Sequence, residues 1–308
     1  MTSVKVILAE TVDKVTGEAE IADMWQRHYS ELLNSNKDTS HKHSVQADLQ
    51  CIKVLGEHSV TAVEVFEAIK DLKLNKSSGL DCLQAEHFRY ADMNTLSCLL
   101  AMLLNSMLCH GFIPDKAMFS VIIPVLKNKK GLLTDKNNYR PVALTSVFSK
   151  IIESVILDKF VQKLQSSDYQ FGFKKKHGSD MAIFSLKQVI EYYNLRSSPV
   201  YVCFLDASKA FDRLNYWILF RKLLDRGIPN IFIRFFCYWY FHQQLCVKWG
   251  CSQSEKFTTV NGVRQGGIIS PMFFNVYMND LSDKLKNADA GCCFNGYSMN
   301  HLFYADDS

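Results

Sequence analysis

The chain has 308 residues, long enough for one large domain or two smaller ones, and its 48% hydrophobic and 21% charged content excludes a disordered polymer. A formal net charge of +4 is too mild to demand a nucleic-acid partner, but permits one where the cations cluster. Ten cysteines without a C-x-x-C pair or paired Cys/His spacing argue against a structural zinc site.

From the N-terminus, Lys5 and Glu10 flank too short an apolar run for a secretory signal. A non-secreted chain in nucleus or cytoplasm is expected, its cysteines reduced and in the core. Ile21, Met24, Trp25, Tyr29, Leu32 and Leu33 predict a helix over 18–33. Residues 34–59 are polar and read as a linker. Thr61 with Glu64 predicts a capping box, opening a helix through Val65, Phe66, Ile69 and Leu72. Residues 75–81 form a loop by composition. Leu96, Leu99, Leu100, Leu103, Leu104 and Met107 mark another helix, stopped at Gly111 and Pro114. Residues 121–126 read as a strand, with Pro124 at an edge or break. Lys127, Lys129, Lys130, Lys136 and Arg140 then face a single acid, Asp135. Such a run is either a solvated charged loop or a phosphate site. Phe148, Ile151, Ile152, Val155, Ile156 and Phe160 give an amphipathic helix.

Tyr169-Gln170-Phe171-Gly172-Phe173 precedes Lys174, Lys175 and Lys176. Interleaved rings and cations suit a single-stranded nucleic-acid track, or a core edge with a wet rim. Ser179 is placed as N-cap of a helix through Ile183, Leu186, Val189, Ile190 and Tyr193. Residues 200–205 read as a strand buried on both faces, ending at Asp206, which is either a helix cap or a metal ligand. A helical pattern follows residue 212 and stops at Gly227 and Pro229. Residues 228–245 are the most apolar stretch, but Arg234 and His242 interrupt it; it reads as a buried aromatic segment and no membrane span is expected. Residues 256–260 read as a strand and 261–267 as a loop whose backbone can approach a ligand. Ser270 and Pro271 suit the N-cap and first position of a helix with Phe273, Val276, Tyr277, Leu281 and Leu285 on one face. The apolar run before Asp306-Asp307 closes the chain; paired carboxylates there are either a polar turn or, in a buried setting, a divalent-metal site.

The order of these features resembles the palm of a reverse transcriptase, of the non-LTR (LINE-type) retrotransposon branch. Five stretches carry the resemblance: residues 138–144 (Asn-Tyr-Arg-Pro-Val-Ala-Leu), 170–173 (Gln-Phe-Gly-Phe), 204–212 around Asp206 (motif A), 262–271 around Gln265-Gly266 (motif B) and 303–307 (Phe-Tyr-Ala-Asp-Asp, motif C). It spans about residues 60–308 and implies an α+β right-hand polymerase with fingers and palm, an antiparallel palm sheet with helices on one face, and no thumb. Residues 1–60 would be an N-terminal helix and linker, 61–198 fingers with early palm elements, and 199–308 an incomplete palm.

The resemblance implies RNA-directed DNA polymerase activity: deoxynucleoside triphosphates added to a DNA 3′ end (primer or target) on an RNA template. Two Mg²⁺ ions, with Mn²⁺ a substitute, would be held by Asp206, Asp306, Asp307 and the Ala207 carbonyl. Lys127 and Arg140 would hold the triphosphate, and Gln265 and Gly266 would line nucleotide and template. Phe211 would exclude a ribose 2′-hydroxyl, which argues against an RNA-templated RNA polymerase. Lys174, Lys175, Lys176 and Arg264 would contact nucleic acid. Two departures stand out. Ser78-Gly79-Leu80-Asp81-Cys82 replaces Pro-Gly-x-Asp-Gly, and a cysteine argues against a left-handed backbone at residue 82. Residues 174–180 keep positive charge but not the family's Arg-Lys-Gly-x-Ser-Thr. The return strand after Asp307, the thumb and the endonuclease are expected in a longer element. The alternative is an inactive truncated remnant with at most nucleic-acid binding.

Overall fold

A two-residue hairpin, β1 (Thr11–Val12) and β2 (Val15–Thr16), leads into α1 (Glu18–Leu32) in the computed structural model, which describes residues 9–50, 56–264, 266–288, 290–294 and 297–305. The stripe of α1 is as predicted: Ile21, Trp25, Tyr29 and Leu32 are buried. The stretch expected as a linker contains α2 (Lys42–Gln50). Val45 plugs this helix into the core, and Arg221 holds its Asp48 at 2.6 Å. A single buried valine gives no legible stripe, which is why composition alone reads as linker.

The capping box of α3 (Ala62–Lys70) forms: the Glu64 amide donates to Thr61 Oγ1 at 3.3 Å, and the Thr61 amide donates to Glu64 Oε2 at 2.7 Å. After residues 75–81, Cys82 is left-handed (φ 56°) despite its side chain. Its amide donates to the Gly79 carbonyl at 3.2 Å, so a local turn bond supports a conformation the sequence argued against. Then come α4 (Ala85–Arg89) and α5 (Met93–His110), which ends at left-handed Gly111. By length and composition α5 could cross a membrane; here Ala101, Leu104, Met107 and Leu108 pack into the core.

A short α6 (Asp115–Met118) enters β3 (Phe119–Leu126), which pairs antiparallel with β4 (Tyr139–Thr145) along its length. Pro124 does not break β3, and it sits at a local edge, as expected of one of the two alternatives: it pairs with Pro141 of β4, and among the described residues neither strand is paired on its other side there. Missing N–H groups therefore leave no ladder bond unmade. Next are α7 (Val147–Phe160), capped by Ser146, and α8 (Ser179–Asn194). Gly178, not Ser179, is the N-cap of α8, and only Val189 of this helix is buried.

Residues 200–205 do not form the expected buried strand. Tyr201 is 93% and Phe204 79% exposed. A continuous apolar run becomes a doubly covered strand only if neighbours pair with it. No such neighbour is among the described strands. The chain continues as a 3-10 turn over Ala210–Arg213, then α9 (Tyr216–Asp225), capped by Asn215, and α10 (Asn230–His242). α10 is the expected buried aromatic segment, with Phe232, Phe235, Phe236 and Trp239 fully enclosed.

The sheet is completed by β5 (Gln244–Trp249), β6 (Ser252–Gln253) and β7 (Phe257–Thr258). β5 runs parallel to β3, while every other pairing in this five-stranded sheet is antiparallel. α11 (Ser270–Lys286) starts one residue earlier than predicted, with Ile269 as N-cap. A hairpin of β8 (Cys292–Phe294) and β9 (Tyr297–Met299) follows. The cysteines are free among the described residues but mostly exposed, not in the core; Cys246 is the buried one.

Two cores result. One joins α3, α5, α7, α9, α10 and α11; the other lies between α1 and the sheet. In the second, Trp25 stacks on Tyr29 (5.3 Å, 15°) and meets Tyr139 edge-on at 5.3 Å, with Trp249 beside them. Trp25→Ala should therefore lower unfolding free energy by about 3–5 kcal/mol in denaturant titration. A loss below about 1 kcal/mol would mean that α1 is a detachable tail.

Candidate active site

A cleft of about 560 Å³ opens between α1, the β3–β4 end of the sheet, residues 206–212 and the N-terminus of α11. Asp206, Ala207, Phe211, Lys127, Arg140, Arg264 and Gly266 all reach its wall. Asp206 is exposed there, and its carboxylate accepts no hydrogen bond among the described residues. The neighbouring Ala207 carbonyl accepts the Ala210 amide at 3.3 Å, closing the turn that places Phe211. The Phe211 ring is fixed on two sides, stacked on Phe274 (4.1 Å, 22°) and edge-on to Phe173 (5.8 Å). Backbone stitching fixes this wall against residues 261–263. Val263 donates to Phe211 O at 2.9 Å, Gly262 to Leu214 O at 2.7 Å, and Asn261 Nδ2 to Asp212 O at 2.6 Å. Gly262 is left-handed (φ 87°), and a Cβ there would lie 2.7 Å from Asp212 O.

The basic stretch divides. Arg140 pairs with Val125 in the ladder and is exposed at the cleft, its guanidinium without a hydrogen bond among the described residues. Lys127 Nζ donates to Asn137 O at 3.0 Å, which holds it at the rim. Lys129, Lys130 and Lys136 do not line the cleft.

Arg264 is a correction. It was expected on nucleic acid, but it is 5% exposed and its guanidinium ion-pairs with Glu153 of α7. It also lies 4.5 Å from the centre of the Trp239 ring. The other Glu153 oxygen accepts the Ile268 amide at 2.5 Å. One buried carboxylate thus ties both ends of the loop that carries Gly266. Gly266 is at φ 123°, and a Cβ there would lie 2.8 Å from Ala143 O. The loop therefore touches β4 through bare backbone. Gln265, Asp306 and Asp307 lie outside the described residues.

The three lysines expected on a nucleic-acid track part company. Lys174 folds back, its Nζ donating to Ser167 O at 2.5 Å, and burial holds its pKa below the usual lysine value. Lys176 is exposed and left-handed. Lys175 lines a second hollow of about 640 Å³ with Lys73, Lys76 and Lys150. This basic hollow shares the Gly266-Gly267 wall with the cleft. Its lysines come from three separate segments, the loop after α3, α7 and the stretch before α8, so no run in the sequence announced them.

His28 was not singled out from the sequence, and Tyr29 and Leu32 were placed only on a helical stripe; all three bring α1 to the cleft wall. Burial holds the His28 pKa below the usual imidazole value, and Lys209 and Lys136 add to the effect. Tyr29 titrates well above the usual phenol range, mainly through burial and then through Asp212.

A family model described as reverse transcriptase (RNA-dependent DNA polymerase) matches residues 126–308. The chain is 28% identical over 236 residues to the RNA-directed DNA polymerase from mobile element jockey of Drosophila funebris, covering 75% of this chain and 25% of that protein. It is 26% identical to the probable RNA-directed DNA polymerase from transposon BS of Drosophila melanogaster, covering 79% and 27%. It is 24% identical to the Pol polyprotein from the type-2 retrotransposable element R2DM of the same species, covering 82% and 24%. The chain thus spans about a quarter of the length of the curated relatives it matches.

A lowered folded-state pKa at His28 means that the unfolded chain binds more protons near its own pKa of about 6.5. The contribution is present above that value and is lost as pH falls through the folded pKa. Between about pH 7.5 and 5.5, wild type should lose more thermal stability than His28→Gln. Parallel melting-temperature slopes for the two proteins would refute this assignment.

Proposed function

The chain belongs to the reverse transcriptase (RNA-dependent DNA polymerase) family, and from that premise we propose that its cleft joins a deoxynucleotide to a DNA 3′ end on an RNA template, as part of retrotransposon copying. The observation that carries the reading is the convergence on one cleft of Asp206, Phe211, Arg140, Lys127 and the Gly266 loop, which come from well-separated parts of the sequence.

In this reading Arg140 offers a guanidinium fork to the triphosphate and Lys127 a point charge at the rim. Phe211, held by Phe274 and Phe173, has little freedom to yield to a 2′-hydroxyl and so selects deoxynucleotides. Gly266, with Gln265 beside it, gives template and nucleotide a surface of bare backbone. The Lys175 hollow supplies positive charge alongside for a phosphodiester strand.

Reverse transcriptases use divalent metal ions. The donor set on this wall fits such an ion: an exposed carboxylate at Asp206, without a hydrogen bond among the described residues, beside the Ala207 carbonyl, both hard oxygens. Asp206, Ala207, Asp306 and Asp307 would hold Mg²⁺, with Mn²⁺ as a substitute. When bound, two such ions activate the attacking 3′ oxygen and stabilise the departing pyrophosphate.

Primer extension on an RNA template tests the reading. Wild type should extend and Asp206→Asn should not; equal signals would leave only a nucleic-acid-binding remnant. Phe211→Ala should raise ribonucleotide incorporation relative to deoxynucleotide incorporation, measured as the ratio of kcat/KM values. An unchanged ratio would remove the gating role.

A further inference from the structure

The Gln-Phe-Gly-Phe stretch has no part in the cleft chemistry above, apart from the ring of Phe173. Residues 169–171 run alongside Phe303. The Phe303 amide donates to Tyr169 O and the Phe171 amide to Phe303 O, both at 2.8 Å, forming a parallel bridge between Gln170 and Phe303. Gln170 is 3% exposed, and its side chain is spent entirely on backbone. Its Oε1 accepts the Ala305 amide at 3.0 Å and the Gly172 amide at 2.8 Å, while its Nε2 donates to Ala305 O at 3.2 Å.

Ala305 is the residue immediately before Asp306, and it is left-handed, with φ 59°. An alanine does not take that conformation without support. A carboxamide that satisfies both its N–H and its C=O is such support. The approach is close: a Cβ on Gly172 would lie 2.3 Å from the Ala305 nitrogen. Asn275 of α11 donates to Gly172 O at 3.0 Å, so the clamp is anchored on the helix that the Gly266 loop opens.

We propose that Gln170 is a positioning residue: by clamping the main chain of Ala305 it fixes the backbone that leads into Asp306-Asp307, the carboxylates assigned above to the divalent metal. The proposal rests on the polymerase reading for the metal's role, but not for the clamp itself. Gln170 is the only side chain among the described residues that bonds both backbone groups of Ala305. A glutamine is the fitting residue type, since it carries donor and acceptor on one rigid plane; glutamate or methionine lacks one or both.

The test compares the intact wild-type chain with Gln170→Met, which has similar bulk and no hydrogen bonds. Three quantities are read: Mn²⁺ affinity by direct titration, amide exchange over residues 303–305, and the Mg²⁺ concentration for half-maximal primer extension. Mn²⁺ affinity should fall and the Mg²⁺ requirement rise by about tenfold or more, in the range found when a group supporting a metal ligand is removed. Exchange should quicken at Ala305, with primer-template affinity unchanged and activity restored by high Mg²⁺. Should Gln170→Met not fold, Gln170→Glu keeps the acceptor and loses the donor, and should show a smaller shift in the same direction. Wild-type Mn²⁺ affinity in a folded variant, or no Mn²⁺ binding by wild type, overturns the proposal. If wild type binds Mn²⁺ but extends no primer, the polymerase reading fails, and the change in Mn²⁺ affinity alone decides the clamp.

Discussion

The Glu153 carboxylate is the constraint on which the cleft depends. It is buried in α7, and it meets two groups at once: the Arg264 guanidinium and the Ile268 amide. Burying opposite charges is neutral at best when they are paired and hydrogen-bonded, but losing one partner typically costs about 3–5 kcal/mol. Nε and Nη1 of Arg264 find no acceptor among the described residues, where its charge meets Glu153 and the Trp239 face. Such an arrangement adds little to net stability. What it contributes is geometry, because the loop between Arg264 and Ile268 cannot shift without separating the charges.

From that loop the rest of the site follows by contact. Gly266 lies against Ala143 of β4, the strand that carries Arg140. Val263 and Gly262 bond to the segment that carries Phe211. Ser270 and Pro271 start α11, whose Phe274 stacks on Phe211 and whose Asn275 holds Gly172. Gly172 in turn adjoins Gln170 and Ala305. The path from Glu153 to the residue before Asp306 runs through backbone bonds and buried side chains, the long ones among them, Glu153, Arg264 and Gln170, each held by hydrogen bonds. The left-handed Ala305, a conformation unfavourable by about 1–2 kcal/mol for an L-residue, sits at the far end of this frame.

The far wall of the cleft comes from the N-terminal helix. α1 covers one face of the sheet through Trp25 and Tyr29 on Tyr139 and Trp249, and that packing delivers His28 and Tyr29 to the cleft that Asp206 also lines. A helix expected to lie outside both fingers and palm therefore lines the site. The reason is that a stripe of apolar residues specifies that a face will be buried, not which surface buries it.

The sequence by itself determined the elements with short-range causes. The Thr61–Glu64 box and the Gly111 stop rest on bonds within a few residues, the α1 stripe and the aromatic α10 on local periodicity and composition, and the five ordered motifs were legible through their resemblance to a family. It misread residues 200–205 as a buried strand, because burial there requires partner strands that a local pattern cannot supply. It placed Arg264 on nucleic acid, because a cation's direction depends on a glutamate more than a hundred residues away. It assigned no task to Gln170, because its three bonds include two to a residue far along the chain. The tertiary structure decided these points: local chemistry chooses the residue types, but only packing chooses which of them face one another.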